Sequence, residues 1–270
     1  MTGLAARSQV LLEPHDAIPE GARFIEARFR TPEDGWAPAI PGALLATLDN
    51  GVLARAPHPD AGRFPLPDRA ALVETLDGQG VHTGTPLVVY AAEPEDAKTA
   101  ARAWFVLRDA GFVDVRVLDG GAQAWKRRSP SARPVEAATP SAAVPIGVAT
   151  IDATEAASIG RTGTLLDARP DAAFAQGHIP GATSAPGHDV FEDGRLLPHD
   201  RLTQWAASLD LTPGEPVGAY CGGGVAAAGT VLALAALGIE ASLYVGSWSH
   251  WSRQQLPVEV RPVEQLPVEA

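Results

Sequence analysis

Two halves of this chain carry the same signals in the same order. The first reads "RFIEARFRT…AIPGALLATLDNGV" and then "TPLVVYAAEPEDAKTAARAWFVLRDAGFVDVRVLDGGAQAW". The second reads "TLLDARPDAAFAQGHIPGATSAPGHDVFEDG" and then "EPVGAYCGGGVAAAGTVLALAALGIEASLYVGSWSHW". Ile40-Pro41-Gly42-Ala43 answers Ile179-Pro180-Gly181-Ala182, and Val88-Val89-Tyr90 answers Gly218-Ala219-Tyr220. Leu118-Asp119-Gly120-Gly121 answers Tyr244-Val245-Gly246-Ser247. The period is far longer than the roughly 20–50 residues of solenoid and propeller repeats, so it indicates duplicated domains. A length of 270 residues is enough for two domains that each bury a core. The Pro-, Ser- and Ala-rich stretch "RRSPSARPVEAATPSAAVP" marks an extended linker between them. The expected organisation is a first domain over residues 1–128, a linker over 129–148, a second domain over 149–255 and an exposed Pro-rich tail over 256–270.

Within each half, short apolar runs alternate with helical patterns. Thr164–Leu166, Val217–Tyr220 and Ala241–Val245 read as buried strands, and Ala97–Ala110 and Val225–Leu237 as helices. That alternation predicts the α/β class, with a mainly parallel central sheet in each domain flanked by helices. In such sheets ligands sit beyond the carboxyl ends of the strands, where loops lead into helices. Cys221 falls at one of these places.

A single cysteine rules out an internal disulfide framework and a thiolate-rich zinc site, and the seven histidines show no metal-ligand spacing. A net charge of −11 without long acidic runs argues against a nucleic-acid partner. The start "MTGLAARSQVLLEPHDAIPEG" has no long apolar run, and no stretch of about 18 apolar residues occurs, so neither a secretory signal nor a membrane span is expected. The expected location is cytoplasmic.

Between the strand ending at Tyr220 and the helix from Val225, the chain must turn sharply through Cys221, Gly222, Gly223 and Gly224. Glycines permit positive φ and let backbone N–H groups converge beside a helix N-terminus, which makes a concave site for negative charge. That setting favours the nucleophilic thiolate of Cys221 and would hold an anionic sulfur, as Cys–S⁻ or Cys–S–S⁻. The competing reading of a lone cysteine is a small buried hydrophobe; the strand, glycine loop and helix around Cys221 favour the reactive one. Cysteine phosphatases use the same turn but need an arginine six positions on, where this chain has Ala227. In the first half "YAAEPEDAK" puts Ala91 at the cysteine's position and adds Glu93, Glu95 and Asp96, so that half lacks the chemistry. Near the second loop, Arg169 at a strand end and Trp248 in "GSWSHW" are candidates to bind substrate. The alternative for Arg169 is an ion pair with Asp167 or Asp171. His178 reads as a turn residue, Trp251 as core, and His188 and His199 as solvated.

Taken together, "LLDAR" (Leu165–Arg169), "GHIPGA" (Gly177–Ala182), "YCGGGVAAA" and "GSWSHW" resemble the tandem-domain rhodanese-type sulfurtransferases, the group of thiosulfate and 3-mercaptopyruvate sulfurtransferases. The resemblance covers roughly Ser8 to Arg253. It implies that Cys221 takes a sulfane sulfur from a small donor, either thiosulfate or 3-mercaptopyruvate. The persulfide is held by the N–H groups of Gly222, Gly223, Gly224, Val225 and Ala226, and passes its sulfur to cyanide, a thiol or a thioredoxin-like protein. No metal or organic cofactor is implied. The uncharged loop is closer to the C-G-S-G-V-T pattern of the mercaptopyruvate enzymes than to the basic loop of the thiosulfate enzymes. It departs from that pattern at Gly223, where the family has serine, and at Ala226, where it has threonine. Ala173 stands for a substrate-binding arginine and Phe64 for a first-domain histidine, with Arg63 and His58 as candidates to take that place. These four departures define the alternative reading, a sulfane-sulfur carrier with negligible turnover.

Overall fold

The computed structural model describes residues 3–33, 35–128 and 147–260. The first domain runs α1 (Gly3–Val10), β1 (Leu11–Leu12), β2 (Arg23–Arg28), β3 (Leu44–Thr47), α2 (Arg69–Asp77), β4 (Leu87–Ala91), α3 (Ala97–Asp109), β5 (Val115–Leu118) and α4 (Gly121–Lys126). The second runs β6 (Ala149–Ile151), α5 (Ala153–Thr162), β7 (Thr164–Asp167), α6 (Asp171–Gln176), β8 (Ala182–Ser184), β9 (Phe191–Glu192), β10 (Arg195–Leu196), α7 (His199–Ala207), β11 (Val217–Tyr220), α8 (Ala226–Ala236), β12 (Ser242–Tyr244) and α9 (Ser247–Trp251). Each domain has one five-stranded sheet, ordered β1-β5-β4-β2-β3 in the first and β6-β12-β11-β7-β8 in the second, and every pairing within these sheets is parallel. The two orders superpose term by term, so the duplication in the sequence is a duplication of topology.

The central strands read as continuous apolar runs because helices cover both faces of the sheet. "LVVYA" in β4 and "VGAY" in β11 are buried at every position. Helix α8, "AAAGTVLALAA", is buried on nearly all sides because it packs against α3 and α1 of the first domain as well as its own sheet. Its small residues allow that close approach. Among the strands of the described residues, the antiparallel pair is the β9–β10 hairpin of the second domain.

Of the expected linker, only Gly147 and Val148 lie within the described residues, and of the expected tail only Leu256 to Val260. Those last residues run back along the second domain. Glu259 pairs with His178 through N–H···O bonds of 2.9 and 3.0 Å, and Trp251 Nε1 donates to Pro257 O at 2.8 Å.

Each domain also sends a Gly-Arg turn onto the sheet end of the other. Gly62-Arg63-Phe64 of the first domain lies against Gly223 and Gly246 of the second. Gly194-Arg195-Leu196 of the second lies against Pro94 and Gly120 of the first, with Leu196 N donating to Asp119 Oδ1 at 2.8 Å. Gly62 has φ +85°, and a Cβ there would lie 2.6 Å from Gly246 O, so the two backbones meet without room for a side chain.

Candidate functional site

Cys221 follows β11, the middle strand of the second sheet, and is 4% exposed. The residues around it are fixed by the start of α9. Ser247 Oγ accepts the Cys221 N–H at 3.1 Å and donates to Tyr244 O at 2.8 Å. Trp248 N donates to Cys221 O at 2.9 Å, and Ser249 N to Gly222 O at 3.0 Å. These bonds engage the Cys221 N–H and the carbonyls of Cys221 and Gly222. Gly224 N then donates to Cys221 Sγ at 3.1 Å. Gly224 has φ +81°, and a Cβ there would lie 2.7 Å from Val245 O, so only glycine closes this turn without strain. Among the described residues the N–H groups of Gly222, Gly223, Val225 and Ala226 have no hydrogen-bond acceptor. They remain available to a charge on sulfur.

The candidates named from the sequence separate into two groups. Trp248 is half-buried beside the loop, and its ring carries the Arg169 guanidinium at 4.2 Å. Arg63 is exposed at the mouth. Its backbone N–H donates to Ser249 Oγ at 2.9 Å, and among the described residues its guanidinium has no partner. Arg169 is buried and engaged: Nη2 reaches Asp167 Oδ2 and Gly177 O, both at 2.6 Å, and Nε bonds Asp167 at 3.0 Å. The ion pair considered for Arg169 is present in the fold, with Asp167 and not Asp171 as partner. His58 is exposed on the first-domain turn, where its Nδ1 accepts the Asp60 N–H at 3.2 Å and its backbone pairs with Gly62. It shapes that turn and, among the described residues, makes no hydrogen bond or ion pair with the Cys221 loop. Phe64 does reach the loop: its Cδ2 lies 3.0 Å from where a Gly223 Cβ would stand.

His178 and Trp251 have structural places. His178 stacks on Phe174 at 3.8 Å with its Nδ1 3.0 Å from Phe174 O, and Trp251 is buried. His188 is exposed, but His199 is only partly so. It opens α7, and its Nδ1 is buried without a partner among the described residues, which corrects the expectation of a solvated ring.

Two residues of the site were missed in the sequence. Ser247 stands where the first half has Gly121, a difference visible in the repeat but masked by the aromatic residues that follow it. Arg102 lies in α3 of the first domain and is fully buried. Its Nη1 donates to Gly224 O at 3.2 Å, Nη2 to Phe64 O at 2.9 Å, and Nε and Nη2 to Leu53 O at 3.3 Å. A cation set among the small and apolar residues of "AARAWFVL" was the available signal.

The first domain keeps the framework of this site without its chemistry. Glu26 pairs with Tyr90 across the sheet as Asp167 pairs with Tyr220, and Arg28 bonds Glu26 as Arg169 bonds Asp167. Tyr90 Oη accepts the Ile40 N–H at 3.2 Å, and Tyr220 Oη accepts the Ile179 N–H at 3.0 Å. Ala91 then stands for Cys221.

Sequence and fold comparisons agree with this geometry. The profile of the rhodanese-like domain matches residues 13–128 and again 152–254. SseB of Mycobacterium tuberculosis, provisionally named a thiosulfate sulfurtransferase, is 35% identical over 92% of this chain and 96% of its own. The 3-mercaptopyruvate sulfurtransferase of Escherichia coli K12 is 31% identical over 82% of this chain and 83% of its own. The crystal structure of Escherichia coli SseA, described as a 3-mercaptopyruvate sulfotransferase, has a TM-score of 0.65 at 27% identity, covering 86% of this chain and 94% of that one. With both halves matched and the repeated parallel sheets in place, the chain belongs to the rhodanese family, as a tandem of two rhodanese-like domains.

Proposed function

We propose that the protein is a sulfurtransferase in which Cys221 carries the sulfur and thiosulfate is the preferred donor. The carrying observation is the Gly224 N–H on Cys221 Sγ, inside a turn whose neighbouring N–H groups are unengaged. In the first step the Cys221 thiolate attacks the outer sulfur of thiosulfate. A new S–S bond forms at Sγ, the donor S–S bond breaks, and sulfite leaves with its electron pair. In the second step an acceptor, cyanide or a thiol, takes the outer sulfur and the thiolate returns. This is nucleophilic covalent catalysis with backbone dipoles stabilising the charge, and it requires no metal or organic cofactor.

The choice of donor follows from proton accounting. Sulfite leaves as an anion and needs no proton. Pyruvate leaving from 3-mercaptopyruvate must receive the thiol proton on carbon, which calls for a protic side chain at the mouth. Here Gly223 has no side chain, and an aromatic ring, Phe64, covers it. The unpaired Arg63 guanidinium at that mouth suits a divalent anion. The carrier alternative is not favoured, because relatives spanning most of the chain are named as enzymes.

Intact-mass measurement after incubation with each donor tests this reading. The expected result is a gain of one sulfur atom with thiosulfate, reversed by cyanide and absent in Cys221→Ser, with steady thiocyanate production. No sulfur gain from either donor sinks the persulfide role of Cys221. Faster turnover of 3-mercaptopyruvate than of thiosulfate sinks the donor assignment alone.

A further inference from the structure

Arg102 is a fully buried guanidinium that, among the described residues, has no carboxylate within ion-pair distance. Among the described residues its four hydrogen bonds all go to backbone carbonyls. A buried charge without an opposite charge is strongly unfavourable, and proteins place one only where something compensates it. Burial pushes this guanidinium down to about 10, and the negative charge available to Cys221, then that of Asp109, partly opposes the shift. The turn that holds Cys221 Sγ is also the one that holds Arg102: Gly224 donates its N–H to Sγ at 3.1 Å and offers its carbonyl to Arg102 Nη1 at 3.2 Å.

Its hydrogen bonds also have a mechanical effect. In a trans peptide the C=O and the N–H point in opposite directions. Anchoring Gly224 O on Arg102 at 3.2 Å consequently fixes the direction of the Val225 N–H, one of the unengaged donors of the Cys221 turn. The same guanidinium holds Phe64 O at 2.9 Å, so it ties the first-domain segment over Gly223 to the loop beneath it.

We infer that Arg102 of the first domain is a positioning residue for sulfur transfer in the second: it orients the Gly224–Val225 peptide and supplies the buried positive charge against which an anion on Cys221 is held. On this account the first domain, which has alanine in place of cysteine, still serves the reaction. The inference rests on Cys221 carrying the sulfur. Other titratable groups on elements packed against the loop are the Asp167–Arg169 pair, His250 held by Tyr244 Oη at 2.5 Å, Arg63 at the mouth, and the exposed His188–Asp189 pair. All of these are unchanged between the variants compared.

The test uses Arg102→Met and Arg102→Lys in the full chain, with near-ultraviolet circular dichroism to verify the fold. Three quantities are read: the pH profile of Cys221 alkylation by iodoacetamide, kcat and KM with thiosulfate and cyanide, and sulfur loading by intact mass. Arg102→Met should move the alkylation profile to higher pH and lower kcat roughly tenfold or more, with KM little changed. Arg102→Lys, which keeps the charge but not the fork of donors, should recover most of the pH profile and only part of kcat. A folded Arg102→Met protein with the native profile and native kcat overturns the inference. Should Arg102→Met fail to fold, the unsubstituted protein decides: sulfur on Cys221 places a fixed anion opposite the buried cation and should raise its melting temperature. An unchanged or lower melting temperature on loading overturns the inference. Failure of the unsubstituted protein to load at all removes the persulfide reading itself, which is a separate result.

Discussion

At Gly222 a side chain would meet open space, whereas at Gly223 a Cβ would lie 3.0 Å from the Phe64 ring and 3.3 Å from Arg63 Cβ. The difference decides which residue can report on the charge of the loop. A carboxylate placed at Gly222 adds repulsion against sulfur without steric disturbance. Gly222→Asp should slow iodoacetamide alkylation of Cys221 by about tenfold at neutral pH, the effect of roughly one pK unit of repulsion. Gly222→Asn, of the same shape and no charge, should stay near the native rate. Equal slowing by both would show that shape, not charge, controls the cysteine. Much of this was legible in the sequence, because Cys221 and its glycines act locally through a backbone turn that composition reveals. Arg102 and Ser247 were not legible as site residues. Each acts on Cys221 across a long stretch of chain, Arg102 from another domain and Ser247 from the next strand's end, and only the fold makes them neighbours.

Among the elements, β2 and β7 occupy equivalent places and end in equivalent networks around a buried acid, Glu26 and Asp167. Glu26 shows what such a network contributes to folding. Burial acts to raise its carboxyl, but hydrogen bonds from Tyr90, Ala39, Arg28 and Trp36 outweigh burial and leave it below the ordinary value of 4.5. A carboxylate lowered in the folded state contributes stability above its unfolded value and loses it as pH falls through the folded one. Glu26→Gln should therefore cost about 2 kcal/mol at neutral pH. The gap from the native protein should narrow as pH falls below about 4.5. Urea unfolding from pH 7 to pH 3 measures it, and a gap that stays constant would mean that the carboxylate charge is not what the network holds. The elements carrying these residues were the readable part of the fold. "VVY", "VGAY", the helix before "RDAG" and the Ala-rich helix after the cysteine all appear where their apolar runs place them. The β9–β10 hairpin was hidden, because two-residue strands in the polar, glycine-containing "FEDGRL" carry no periodicity, and their pairing depends on packing against the first domain.

For the molecule as a whole, the reciprocal Gly-Arg turns mean that neither sheet end is completed by its own domain. The turn at Gly62-Arg63-Phe64 lies over the Cys221 loop, and its counterpart at Gly194-Arg195-Leu196 lies against Pro94 and Gly120, where Arg195 pairs with the buried Asp119 at 3.0 Å. In the proposed mechanism, donor choice is a property of the interface between domains. The resemblance to the mercaptopyruvate enzymes puts serine at position 223 and histidine at position 64, and here both are replaced, by glycine and phenylalanine facing each other. Neither change can be undone alone. Gly223→Ser sets a Cβ against the Phe64 ring at 3.0 Å, tighter than ordinary van der Waals contact, and Phe64→His leaves an imidazole with no hydroxyl to share a proton with. The double variant Gly223→Ser, Phe64→His supplies both protic groups at once. Its kcat/KM with 3-mercaptopyruvate should exceed the product of the single effects by a coupling of about 1 kcal/mol or more, with little gain for thiosulfate, whose leaving sulfite takes up no proton. A double-mutant cycle on both donors measures this. Single effects that simply multiply, or an equal gain for both donors, would show that the two residues across the domain boundary do not set the donor.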